Sequence, residues 1–130
     1  MAKKRILIVD DEVACTRLLK LCLVQTNRYE VEAANDPSGA LALAERFRPD
    51  LILLDVMMPG MDGGEVASRI QASARLAQVP IVFLTAAVKR EELRLRQGII
   101  GGLTFLAKPV ELAEVVQCIE RILHRQPVKV

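Results

Sequence analysis

Asp10 and Asp11 follow the aliphatic run at residues 6–9, and Asp55 follows the run at 51–54. Thr85 comes directly after residues 81–84, and Lys108 after residues 103–107, an apolar stretch interrupted by Thr104. Three carboxylates, one hydroxyl and one ammonium thus stand behind four short apolar runs. Two like charges about 4 Å apart repel by roughly 4 kcal/mol at an effective dielectric near 20. Clustered carboxylates therefore need protons, a cation, or both. Hard oxygen ligands without a neighbouring His or Cys favour Mg²⁺ over Zn²⁺, and Lys108 adds a fixed positive charge. An aspartate held between two cations can attack a phosphoryl group, because both offset the charge spread over the transferring oxygens. Any one of these residues could be a strand-end cap or half of a surface salt bridge. Five at corresponding positions predict a site.

The elements that must position them are legible. Each apolar run has strand length and is bounded by charge, Pro or Gly. Residues 29–34 alternate as Tyr-Glu-Val-Glu-Ala-Ala and predict a half-covered edge strand. Between the runs lie helical patterns. Residues 12–25 put Leu18, Leu19, Cys22 and Leu23 on one face, with Asn27 as a stop. Residues 37–47 open on Pro37 behind Asp36, a candidate cap. Residues 64–74 follow a Pro-Gly-Met-Asp-Gly turn in which Asp62 is expected to cap the helix rather than touch metal. Residues 111–123 carry a stripe of Leu112, Val115, Val116, Ile119, Ile122 and Leu123. Residues 89–97 lack a burial stripe and predict a solvated surface helix, with Gly98, Gly101 and Gly102 as a loose connection.

Five strands alternating with five helices predict a parallel sheet with right-handed crossovers and helices on both faces. In such sheets ligands bind outside the carboxyl ends of the strands. The five polar residues converge there.

The 130 residues fit one domain, with 52% apolar residues and only 3% aromatic. A net charge of +2 gives no argument for a nucleic-acid or membrane partner. Cys15, Cys22 and Cys118 lack metal-ligand spacing and are expected to be buried thiols in a reducing compartment. No apolar run nears the roughly 18 residues of a membrane span, and four apolar residues after the basic start are too few for a signal peptide. The expected location is the cytoplasm.

Four segments carry a resemblance that covers nearly the whole chain. They are Ile6-Leu-Ile-Val-Asp-Asp-Glu12, Leu51-Ile-Leu-Leu-Asp-Val-Met-Met-Pro-Gly-Met-Asp-Gly63, Pro80-Ile-Val-Phe-Leu-Thr-Ala86 and Phe105-Leu-Ala-Lys-Pro109. In this order and spacing the chain resembles the receiver domain of two-component response regulators. The resemblance implies a flavodoxin-like (βα)5 doubly wound parallel sheet, strand order 2-1-3-4-5, with residues 1–125 as the domain and 126–130 as a short tail. It implies that Asp55 takes phosphate from a sensor histidine kinase or histidine phosphotransfer protein. Asp11, Asp55 and the backbone carbonyl of Met57 would bind Mg²⁺, with Asp10 acting mainly through water. Thr85, the backbone of Ala86 and Lys108 would hold the phosphoryl oxygens, and the Lys108–Pro109 bond would be cis. Movement of Thr85 would be coupled to the aromatic at position 105, here Phe105, which has no hydroxyl and must act sterically. Pro59, Gly60 and Gly63 would shape the loop beside Asp55, the glycines by tolerating positive φ.

One segment departs from the family pattern. Family members commonly carry Gly-Ala-Asp-(Asp/Gly)-(Tyr/Phe) ahead of the Lys-Pro; here residues 98–105 read Gly-Ile-Ile-Gly-Gly-Leu-Thr-Phe. That puts the family's usual dimer in doubt and leaves the chemistry intact. With only Gln126-Pro-Val-Lys-Val130 after the last helix, the expectation is a stand-alone receiver that switches binding to a downstream protein. It would contact no nucleic acid and act only on its own phosphate. The alternative is a receiver segment of a longer regulator or hybrid kinase. An aspartyl-phosphate phosphatase of the haloacid-dehalogenase type wants a second aspartate where Met57 stands. A flavodoxin-like binding module wants a Gly- or Ser/Thr-rich phosphate loop after the first strand, which is missing.

Overall fold

Ile6, Leu7, Ile8 and Val9 point alternately to the two sides of one strand, and all four are fully buried. A strand closed to water on both faces needs cover on both, and that requirement sets the architecture. The computed structural model describes residues 3–58, 60 and 62–124, so Pro59 and the 126–130 tail lie outside the described residues.

The chain runs β1 (Lys4–Val9), α1 (Val13–Gln25), β2 (Tyr29–Ala34), α2 (Pro37–Phe47) and β3 (Leu51–Asp55). It continues with α3 (Gly63–Ala72), β4 (Ile81–Thr85), α4 (Arg90–Leu95), β5 (Ile99–Ile100), β6 (Leu103–Ala107) and α5 (Leu112–Leu123). The sheet order is β2-β1-β3-β4-β6-β5. Every pairing is parallel except that of β5 with β6. The expected order 2-1-3-4-5 holds for the five longer strands. β5 is an addition: a two-residue strand returning through Gly101 and Gly102, at φ of 58° and 81°. Two consecutive positive φ values suit a two-residue hairpin turn, and glycine reaches them without steric cost.

The alternation of β1 splits the core in two. Ile6 and Ile8 join Leu51, Leu53, Leu19, Leu23, Val115 and Ile119 under α1 and α5. Leu7 and Val9 join Ile52, Leu54, Ala40, Ala44, Val66 and Ile70 under α2 and α3. Each fully buried aliphatic side chain contributes about 1.5–3 kcal/mol relative to exposure. Caps fall where expected: Asp36 accepts from Ser38 N, and Asp62 accepts from Glu65 N at 2.8 Å. Asn27 takes φ 61° just past α1, as a helix stop should.

Two predicted stripes need correction. Leu18 is 64% exposed and Leu112 is 38% exposed, so neither belongs to the core. The buried positions on α1 are Thr16, Leu19 and Leu23; those on α5 are Val115, Cys118 and Ile119. The thiols differ as well. Cys118 is buried, Cys22 is partly covered, and Cys15 is exposed on α1.

Candidate functional site

The carboxyl ends of β1, β3, β4 and β6 bring Asp10, Asp55, Thr85 and Lys108 to one rim of the sheet. Backbone pairing fixes the spacing there: Val56 N donates to Leu84 O at 3.0 Å, and Lys108 N donates to Thr85 O at 2.8 Å. Lys108 reaches back across the rim. Its Nζ lies 3.0 Å from Asp10 Oδ2, 3.5 Å from Asp55 Oδ1 and 3.4 Å from Glu12 Oε1. Asp10 and Asp55 are 2% and 4% exposed, so these charges sit where water screens them little. One carboxylate oxygen from each of Asp10, Asp11 and Asp55 lies within 4.8 Å of the others.

The titration of the cluster follows from this packing. Burial raises the Asp55 carboxyl above its ordinary value of 3.8, and the neighbouring Asp10 charge raises it further. The Met57 N–H, 3.3 Å from Asp55 Oδ1, and the Lys108 ammonium oppose that rise without cancelling it. For Lys108, burial alone would lower the pKa. The hydrogen bond and charge of Asp10, with Asp55 and Glu12, reverse this and hold the ammonium above its ordinary 10.5. One lysine facing three carboxylates leaves a deficit of positive charge. A hard divalent cation fits the donor set and would remove that deficit.

The other predicted positions also come to the rim. Thr85 is buried, and its Oγ1 accepts from Ala87 N at 3.0 Å, which leaves the hydroxyl proton free to donate elsewhere. Ala86 is exposed beside it. The Lys108–Pro109 bond is cis. Met57 is 74% exposed and meets Asp55 through its backbone N–H, whereas Met58 is buried in the core. Phe105 is partly buried against Phe83, ring centroids 5.5 Å apart.

Gly60 takes φ 80°, as expected for the loop, but Gly63 is constrained by space rather than by φ. A Cβ at Gly63 would collide with the Asp55 carbonyl oxygen and stand 2.9 Å from Val56 Cα. Its own N–H donates to Val56 O at 2.8 Å, so the start of α3 is pressed against the end of β3. Gly63→Ala should therefore lower unfolding free energy by about 2–3 kcal/mol, as overpacking of a tight contact does. Urea unfolding measures this, and a loss confined to a few tenths would contradict the packing argument.

Two partners of the site are not evident in the sequence. Glu12 salt-bridges Lys108, and its N–H donates to Asp10 Oδ1 at 3.0 Å. Its place directly after the Asp pair was the available signal. Asn35 Nδ2 donates to Asp10 O and to Thr16 Oγ1, both at 2.8 Å, and so ties the β1–α1 loop to the end of β2. Nothing in its neighbourhood of the sequence announces that.

Comparison with known proteins follows the same lines. The family described as response regulator receiver domain matches residues 6–120. Response regulator PleD of Caulobacter vibrioides is 44% identical over 107 residues, 82% of this chain and 23% of PleD. The structure of chemotaxis protein CheY4 of Vibrio cholerae superposes with a TM-score of 0.79 at 31% identity, covering 94% of this chain and 100% of that one. The receiver domain of sensor histidine kinase PA1611 from Pseudomonas aeruginosa, solved with a magnesium ion coordinated in its active-site cleft, gives a TM-score of 0.78. It is 30% identical, with 95% of this chain and 100% of that one covered. The chain spans between 23% and 54% of the length of the curated relatives it matches first.

Proposed function

This chain belongs to the response regulator receiver domain family, and from that membership we propose that Asp55 is the residue that accepts a phosphoryl group. The proposed donor is a phosphohistidine on a sensor histidine kinase or histidine phosphotransfer protein. The observation that carries this reading is Lys108 Nζ set 3.0 Å from Asp10 and 3.5 Å from Asp55, beside three converging carboxylates.

Asp11 and Asp55, with the Met57 carbonyl, would hold Mg²⁺ directly and Asp10 would hold it through water. The bound ion supplies neutralising charge to the phosphoryl oxygens. The chain's own residues do the rest. Asp55 Oδ forms the new bond to phosphorus as the phosphorus–imidazole nitrogen bond breaks. The imidazole departs with that electron pair and takes its proton from solvent. Lys108 meets the charge on one phosphoryl oxygen, and the Thr85 hydroxyl and Ala86 N–H donate to others. Water later attacks the acyl phosphate, releasing inorganic phosphate and restoring Asp55. In this reading the chain acts on its own phosphate and on no separate metabolite, which distinguishes it from a phosphatase. It works in the cytoplasm, where the donor histidine resides, and passes the signal to a downstream protein. Among the described residues no helix is long and apolar enough to cross a membrane.

Borohydride reduction of the phosphorylated protein, followed by peptide mapping, tests the assignment. Asp55 alone should be converted to homoserine; conversion of Asp10 or Asp11 instead would contradict it.

Phe105 would pass the state of Thr85 to the surface. Its ring fills space against Phe83 and has no hydroxyl to trade, so its effect is steric. Phe105→Ala should leave phosphoryl uptake intact and narrow the difference in partner affinity between the two states. Partner affinities unchanged in both states would contradict that role.

A further inference from the structure

Lys108 can meet a phosphoryl oxygen only if the loop after β6 stays at a fixed distance from the end of β4, which carries Thr85. The backbone bond from Lys108 N to Thr85 O ties the two at the sheet rim. A second tie lies farther out. Arg90 opens α4, at the end of the loop that follows Thr85. Its Nη2 donates to Pro109 O at 2.6 Å, and its Nε donates to Glu114 Oε1 at 2.8 Å. Its Nη1 lies 3.9 Å from Glu111 Oε1. One guanidinium thus holds the carbonyl next to Lys108, the residue before α5, and the first turn of α5.

Resting on the receiver reading, we propose that Arg90 is a positioning residue for phosphoryl binding: it clamps the Lys108 loop to the helix that follows Thr85. The geometry suits a guanidinium and not a charge alone. A planar fork meets a carbonyl and a carboxylate at once, whereas an ammonium is a point charge on a flexible stem. Surface ion pairs add little to stability, so the effect belongs to placement. Arg90 touches none of Asp10, Asp11 and Asp55, and a loosened Lys108 would only withdraw a positive charge that competes with the ion, so Arg90 adds nothing to metal affinity.

The test measures three quantities on wild type, Arg90→Ala and Arg90→Lys: Mg²⁺ affinity, affinity for beryllofluoride with Mg²⁺ present, and the rate of phosphorylation by acetyl phosphate. Arg90→Ala should bind Mg²⁺ at least as tightly as wild type does. It should lose about tenfold in both beryllofluoride affinity and rate, short of the ~100-fold that a 1 Å misplacement can cause. Arg90→Lys should recover less than half of the loss. Full recovery by Lys would assign the effect to charge and overturn the clamp. So would a lowered melting temperature with unchanged rate and beryllofluoride affinity, or an equal loss of Mg²⁺ affinity. Should Arg90→Ala fail to fold, Glu114→Ala removes one arm of the clamp, the acceptor of Arg90 Nε, and should shift the same two quantities in the same direction; no shift overturns the proposal. If wild type takes neither a phosphoryl group nor beryllofluoride, the receiver reading fails and the clamp falls with it. If wild type takes both and the variants match it, the clamp alone fails.

Discussion

Lys108→Ala should slow phosphoryl uptake from acetyl phosphate by about 10²–10³-fold, the cost of removing one preorganised donor to a transferring oxyanion. Without Mg²⁺ it should also lower unfolding free energy by about 2–4 kcal/mol, because it leaves buried carboxylates without their cation. Asp10 and Asp55 are both nearly inaccessible, and Lys108 is bonded or paired to each. The loss is bounded because Asp55, whose carboxyl burial and Asp10 already raise above its ordinary value, can take up a proton when the lysine goes. The sign with pH follows from the raised lysine value. The contribution is fully present below the ordinary 10.5 and fades as pH rises through the higher folded value, so it is complete at neutral pH. Urea unfolding in EDTA at pH 7 and a mass-spectrometric time course measure the two effects. Wild-type uptake in Lys108→Ala would remove the lysine from the proposed chemistry.

Asp55→Asn should do the opposite to stability while abolishing uptake. The Asp55 carboxyl is raised from 3.8, so between that value and its folded value the native state binds more protons than the unfolded state. Stability then falls as pH rises through the folded value, and at pH 7 the ionised Asp55 is a cost to the metal-free fold. Repulsion of roughly 4 kcal/mol from a neighbouring carboxylate, partly offset by Lys108, leaves a gain for Asn of about 1–2 kcal/mol. Asn keeps an oxygen to accept the Met57 N–H. The gain should shrink as pH falls toward the ordinary 3.8 and vanish well below it, where the wild-type carboxyl is protonated in both states. Saturating Mg²⁺ should reverse the order, since ion bound at 100 times its dissociation constant stabilises wild type by about 2.7 kcal/mol and Asn is a poorer ligand. Thermal unfolding at pH 3.5 and 7, with EDTA and with Mg²⁺, tests all three signs. A metal-free Asp55→Asn variant less stable than wild type at pH 7 would contradict the account of the cluster.

The parts legible in the sequence were those set by period and punctuation. Four apolar runs ending in Asp10, Asp55, Thr85 and Lys108 place those residues on one rim, because parallel strands of similar length end together. Face assignment on α1 was less legible, because residues 18–24 contain six Leu, Val or Cys side chains and any face looks apolar. Leu18 looks like core on that ground, yet it is exposed. β5 is hard to read because Ile99–Ile100 is too short to show alternation, although Gly101-Gly102 between Ile99-Ile100 and Leu103-Thr104 is a hairpin signal. In the sequence Gly63 looks chosen for backbone freedom, whereas a contact with the Asp55 carbonyl decides its identity. Arg90 and Glu114 lie 24 residues apart, and only the folded sheet brings their side chains together.

Intact-mass spectrometry after incubation with acetyl phosphate and Mg²⁺ reports phosphoryl transfer to Asp55 itself. One added phosphoryl group is expected on wild type, none on Asp55→Asn, and none on wild type in EDTA. An adduct that persists in Asp55→Asn, or that forms equally well in EDTA, would contradict Asp55 as the Mg²⁺-dependent acceptor.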